Sequence, residues 1–139
     1  MRSVHFLVML TAAAAVSTGG AAYAHHAVNA AFQAEKFVTI QGEFVKVQLV
    51  NPHSLFQFKV TGANGQPAVW DIESSSVTAL RRAGLTGRST FKVGDKFDMV
   101  INPSRDGSNR GFLRVLTFAD GRKVNLGAEV GDRPLQRPQ

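Results

Sequence analysis

Residues 38–53, with the sequence VTIQGEFVKVQLVNPH, decide the fold. Apolar and polar residues alternate from Val38 to Phe44, which is the period of a β-strand. The apolar phase then shifts by one residue, and an inserted residue near Phe44 and Val45, close to Gly42, explains the shift as a β-bulge. A long first strand that bends at its middle is what a small barrel needs to take part in two sheets.

The same stretch ends in a strand terminator. Pro52 lacks a backbone donor and restricts Asn51, so the ladder stops at Asn51-Pro52-His53 and a tight turn follows. Alternation then predicts strands at 54–61, 68–73, 96–102, 112–118 and 123–126. Between the third and fourth strands, Ser74-Ser75-Ser76 offers the N-cap of a short helix that ends at Gly84.

This order of elements predicts the fold class. Three strands, a helix, two strands and a short return match the five-stranded OB barrel, whose helix lies between strands three and four. We therefore predict an all-β fold with one short helix, a five- to six-stranded OB-like barrel over residues 37–126. An SH3-like barrel or a split sandwich is the alternative, but neither needs a helix at that place.

The amino terminus has the pattern of an export signal. Arg2 supplies the positive start, Phe6–Val16 is an apolar run, and Ala22-Tyr23-Ala24 is a cleavage site. The run is too short to span a bilayer, so we expect a signal peptide at 1–24 and a periplasmic product without a transmembrane segment. Residues 25–36 are predicted to form an arm, and residues 127–139 a disordered tail.

Composition narrows the function classes. The 139 residues contain no cysteine, which excludes disulfides, thiolate metal sites and a cysteine nucleophile. The formal charge of +6 would suggest nucleic acid in a cytoplasmic protein. In an exported protein we expect no nucleic acid, and anionic lipid, glycan or protein surfaces are the available partners.

The histidines indicate a candidate metal site. Cleavage after Ala24 would give His25 a free α-amino group beside its imidazole, which together chelate Cu(II). His26 or His53 would complete a site that resembles a histidine brace. Cleavage two residues earlier would instead place His25 third, in an amino-terminal motif for copper or nickel. The alternatives are weak, adventitious binding on a flexible arm, and a His53 that only caps strand ends.

A second candidate site follows from the fold. In an OB barrel, the loop between strands one and two and the loop between strands four and five flank the ligand face. These loops would bring together Asn51, His53, Arg105, Asp106, Asn109 and Arg110. Arginines there would grip a carboxylate or phosphate. The alternative is a solvated hairpin in which Asp106-Gly107 makes the turn.

Several motifs together resemble a known family. They are the His-His-Ala start, Val-Asn-Pro-His, Ala-Leu-Arg-Arg-Ala-Gly-Leu-Thr, Val-Gly-Asp, Asp-Gly-Ser-Asn-Arg-Gly and Ala-Asp-Gly-Arg-Lys. The chain is similar over about residues 25–126 to a family of small exported bacterial proteins classed as a domain of unknown function. Ser54-Leu55 departs from that family, in which an aromatic residue commonly follows the Asn-Pro-His turn. The resemblance implies a periplasmic protein and adds no catalytic residue.

The sequence gives no catalytic constellation, because no histidine or serine is placed by a nucleophile or acid and base motif. We therefore expect a non-catalytic binding protein that holds copper or another transition metal at His25, His26 and His53. The alternative is an interaction module whose basic rim binds an anionic glycan, a lipid headgroup or a protein partner.

Overall fold

The computed structural model describes residues 27–87 and 89–127. The predicted signal peptide, His25, His26 and the tail after Gly127 lie outside these residues. The strands are β1 (Val38–Gln48), β2 (Leu55–Thr61), β3 (Pro67–Glu73), β4 (Lys96–Pro103), β5 (Arg110–Thr117) and β6 (Lys123–Asn125). Residues 27–31 form a short helix, α1, and Val77–Arg82 form a second, α2. No helix in the described part of the chain is long and apolar enough to cross a membrane.

The strands form a closed five-strand mixed barrel with β6 as an extra strand. The sheet order is β3-β2-β1-β4-β5-β6, and β3 pairs with β5 in parallel to close the barrel. With α2 between β3 and β4, this is the order of an OB-like barrel and confirms the predicted fold class. The prediction of a single helix missed α1, which lies in the amino-terminal arm.

The bend of β1 lies where its sequence predicts it. The first half of β1 pairs with β4, from Val38 opposite Ile101 onwards, and the second half pairs with β2. The register with β2 shifts between Phe44 and Lys46, which confirms the bulge. One strand can therefore belong to both sides of the barrel.

The core fills the barrel with side chains from every barrel strand and from α2. It contains Phe44, Phe56, Phe58, Val60, Ile72, Leu80, Leu85, Phe97, Met99, Ile101, Leu113, Leu116 and Leu126. Met99 is fully buried in this core, and the partly buried Trp70 packs against it. Burying apolar surface at about 25 cal/mol per Å² is the main stabilising term in a domain without disulfides.

The short helix has the predicted ends. The Ser76 side chain accepts a hydrogen bond from the Ala79 amide at 3.3 Å, which satisfies a free donor of the first turn. Gly84 has a φ of 73°, and the Leu85 amide donates to the Leu80 carbonyl at 2.8 Å. Leu80 and Leu85 are both buried, so α2 covers one end of the barrel core.

Gly42 lies in the bent strand at a position with no room for a side chain. A Cβ added there would lie 2.8 Å from Phe58 Cβ and 3.1 Å from Met99 Cε. We predict that Gly42→Ala lowers the free energy of unfolding by about 1 to 3 kcal/mol through overpacking. Urea unfolding checks this. Thr39→Ala, at an exposed position of the same strand, should stay within about 0.5 kcal/mol, and equal losses in the two variants would contradict the packing argument.

Candidate functional site

The amino-terminal arm packs against the barrel. Phe32 forms a bridge with Ser104, and the Gln33 amide donates to the Pro103 carbonyl at 2.9 Å. Val28 and Phe32, one turn apart, are buried with Phe112 in a small second cluster, apart from the main core. Phe112 neighbours Leu113, which points into the barrel, so the arm covers the opposite face of β5.

A buried polar pair fixes the end of the arm. Asn102 is fully buried; its Oδ1 accepts from Arg114 Nε, and its Nδ2 donates to the carbonyls of Lys36 at 2.7 Å and Ala34 at 3.3 Å. Burial lowers the pKa of Arg114. Its guanidinium lies 5.0 Å from the centroid of the Phe112 ring, a cation–π contact. These contacts tie β4, β5 and the arm together.

Five side chains form a closed circle of contacts beside the arm: Phe32, His53, Glu73, Arg110 and Phe112, which we call the rim cluster. Glu73 Oε1 accepts from Arg110 Nη2 at 2.6 Å, and Glu73 Oε2 lies 3.7 Å from His53 Nδ1. The His53 ring meets the Phe112 ring edge to face, with centroids 5.5 Å apart. Phe112 lies 5.8 Å from Phe32, and the Arg110 guanidinium is 5.8 Å from the same Phe32 ring.

The closure of the barrel explains why these residues meet. Glu73 is the last residue of β3 and pairs with Phe112 across the parallel β3–β5 ladder. Arg110 begins β5, and His53 comes from the turn that joins β1 to β2, where the Asn51–Pro52 bond is cis. His53 and Glu73 side chains are 22% and 23% exposed, so the cluster is half-buried and open to solvent on one side.

The rim residues predicted from sequence divide into two groups. His53 and Arg110 come together, joined through Glu73. Asn51 does not join them, because its Oδ1 accepts from the Val77 amide at 3.1 Å at the start of α2. The side chain of Arg105 turns to the arm, where Nε donates to the Asn29 carbonyl at 3.0 Å.

The loop between β4 and β5 also uses its polar residues for its own shape. Asp106 Oδ1 accepts from the Ser108 hydroxyl at 2.6 Å and from its amide at 2.9 Å. These hydrogen bonds, the hydroxyl contact first, lower the pKa of the Asp106 carboxyl to about 2. The Asn109 carbonyl accepts from the Asp71 amide at 3.0 Å, which ties the loop to β3.

Sequence reasoning missed Glu73, Phe112 and Phe32 as members of this site. Asp71 and Glu73 stand out as two carboxylates on one strand face, but they have different partners. Asp71 accepts from Gln57 Nε2 at 2.8 Å, whereas Glu73 faces Arg110 and His53. The signal for Glu73 is its position as the last residue of a strand that closes an OB barrel.

Within residues 27–87 and 89–127, no three side chains of histidine, aspartate or glutamate lie close enough together to hold a metal ion. His53 is the one histidine within these described residues. A metal at His53 would therefore take its other ligands from elsewhere, and His25 and His26 directly precede the first described residue, Ala27.

The Asn102 anchor gives a direct test of arm docking. Asn102→Ala would leave the buried Arg114 Nε without its acceptor and two arm carbonyls without their donor. We predict a loss of about 3 kcal/mol in unfolding free energy and faster hydrogen exchange at the amides of Gln33 and Lys36. Arg105→Gln, which removes only an exposed side-chain contact, should cost less than about 1 kcal/mol. Unchanged exchange in Asn102→Ala would contradict the anchoring role.

Comparison with known proteins identifies the family of this chain. No curated protein and no solved structure matches this chain. A family model described as a family of unknown function, DUF6152, matches residues 13–114, which is most of the chain. The match confirms the resemblance seen in the sequence motifs. The chain belongs to DUF6152, a family of unknown function.

Proposed function

We propose that this chain is a periplasmic, non-catalytic binding protein that holds copper with His25, its α-amino group, His26 and His53. One observation carries the proposal. Phe112 contacts the His53 ring on one side and the arm residue Phe32 on the other, so the arm docks beside the one histidine of the barrel.

The two amino-terminal histidines stand close in sequence to the docked part of the arm. Val28 is buried in the same cluster as Phe112, and His26 stands two residues before Val28. An extended chain spans about 3.5 Å per residue, so His26 can lie up to about 7 Å from Val28 and His25 about 10 Å. Phe112, which shares a cluster with Val28, has its ring centroid 5.5 Å from that of His53, and this short reach supports a site shared by the arm and His53.

The chemistry of the ligands favours Cu(II). An α-amino group and imidazoles are nitrogen donors, which suit Cu(II) in a planar or tetragonal set, whereas Cu(I) prefers thiolate and thioether. The chain has no cysteine, and Met99 is enclosed in the core. Among the residues that the structure describes, neither soft donor is therefore available at the rim.

Export is part of the proposal, because a free amine on His25 arises only when the chain is cut after Ala24. The signal pattern of residues 1–24 supports that cut. Copper at this site would be held by a group that exists only in the processed protein.

The alternative function, an anionic ligand on the basic rim, has weaker support. Arg110 already faces the Glu73 carboxylate at 2.6 Å, and the Arg105 side chain donates to the arm. The two arginines on which that reading rests therefore have partners within the chain. Binding that fades steeply with added salt would nevertheless favour this alternative over copper.

Copper titration of the processed protein tests the proposal. We expect Cu(II) to bind with a dissociation constant below about 1 µM, and we expect His25→Ala and His53→Ala each to weaken binding at least about tenfold, or about 1.4 kcal/mol. Mass spectrometry of the exported protein fixes its first residue beforehand.

Two controls sharpen the result. Asn109 lies on the adjoining loop and its side chain is exposed, so Asn109→Ala should leave the affinity unchanged. An extra alanine before His25 moves the α-amino group and should weaken binding. Affinity weaker than about 1 µM, or an affinity unchanged by either histidine substitution, would contradict copper binding at this site.

A further inference from the structure

We propose that Glu73 is the positioning residue of this site, and that it presents Nε2 of His53 as the nitrogen that binds the metal. This inference rests on the proposed copper function and names the part of the rim that orients its one barrel ligand. The proposal is carried by the arrangement of three side chains, Arg110, Glu73 and His53.

The two oxygens of Glu73 have different partners. Oε1 accepts from Arg110 Nη2 at 2.6 Å, a short charge-assisted hydrogen bond that fixes the carboxylate. Oε2 then lies 3.7 Å from His53 Nδ1, an ion-pair distance rather than a hydrogen bond. The Phe112 ring meets the imidazole at an angle of 85° and supports it from another side. The imidazole is thus oriented by two neighbours, with Nδ1 towards the carboxylate.

A carboxylate beside Nδ1 determines which nitrogen is free. Neutral imidazole carries one N–H and one lone pair, and a nearby carboxylate favours the proton on the nitrogen that faces it. The lone pair is then on Nε2, on the far side of the ring from Glu73. Carboxylates orient metal-binding histidines in this way in many proteins, and their loss typically costs 10- to 100-fold in affinity.

Arg110 has a separate effect on the same carboxylate. By occupying Oε1, it holds Glu73 in place as a partner of His53. Arg110 also contacts Phe32 of the arm, so the orientation of His53 and the docking of the arm depend on one guanidinium.

Glu73→Gln gives a sharp test because Arg110 still dictates how the new side chain turns. The amide oxygen would face Arg110, and the amide NH2 would then face His53 and require a lone pair on Nδ1. The proton would move to Nε2. Asp71→Asn is the matched control, since Asp71 lies two residues earlier on the same strand and accepts from Gln57 instead.

The measurement is the nitrogen NMR spectrum of His53 in the metal-free, processed protein at about pH 8, above the ordinary pKa of imidazole. We expect the Nδ1–H form in the unsubstituted protein and in Asp71→Asn, and the Nε2–H form in Glu73→Gln. Cu(II) affinity should fall about 10- to 100-fold in Glu73→Gln and stay unchanged in Asp71→Asn.

The outcomes separate this inference from the copper function. An Nε2–H form in the unsubstituted protein, or an Nδ1–H form that persists in Glu73→Gln, would overturn the positioning role even if copper binds His53. A Cu(II) affinity that is unchanged in His53→Ala would contradict the copper function, while the NMR result would still report on the role of Glu73.

Discussion

The short parallel pairing of β3 with β5 is the constraint on which the rest of the structure depends. Asp71–Glu73 lie beside Arg110–Phe112, and this contact alone converts an open sheet into a closed barrel. It also sets Glu73 beside Arg110 and Phe112, and the β1–β2 turn delivers His53 to the same edge. The barrel seam and the candidate site are therefore one feature, and a change that opens the seam would remove the site as well.

The amino-terminal arm packs against the strand that closes this seam. Val28 and Phe32 bury the outer face of β5, and the Asn102–Arg114 pair holds the end of the arm through two of its carbonyls. An isolated pair of histidines on a free chain would bind metal weakly, because ordering that chain would cost conformational entropy. Here residues 28–36 are already ordered by packing and hydrogen bonds in the protein itself, so the entropy cost of ordering this part of the arm does not fall on a ligand.

Sequence reasoning succeeded where local rules decide the outcome. The phase shift after Phe44, the proline at 52, the serine cap and Gly84 act within a few residues, and together they specify the order of an OB-like barrel. It missed α1 and the roles of Glu73, Phe32 and Arg114, because those depend on contacts between segments far apart in the chain. It also grouped Asn51 and Arg105 with the rim. In the structure the Asn51 side chain accepts a hydrogen bond from the first amide of α2, and the Arg105 side chain donates to a carbonyl of the arm.

The central claim is that copper, the arm and His53 meet at the rim cluster, and paramagnetic NMR of the processed protein tests it most directly. Unpaired electron density on Cu(II) broadens the signals of nearby nuclei. With Cu(II) added below one equivalent, the account predicts that signals of His53, Phe112 and Phe32 broaden together with those of the first residues of the arm. Broadening confined to the amino-terminal residues, with His53 and Phe112 unchanged, would contradict it.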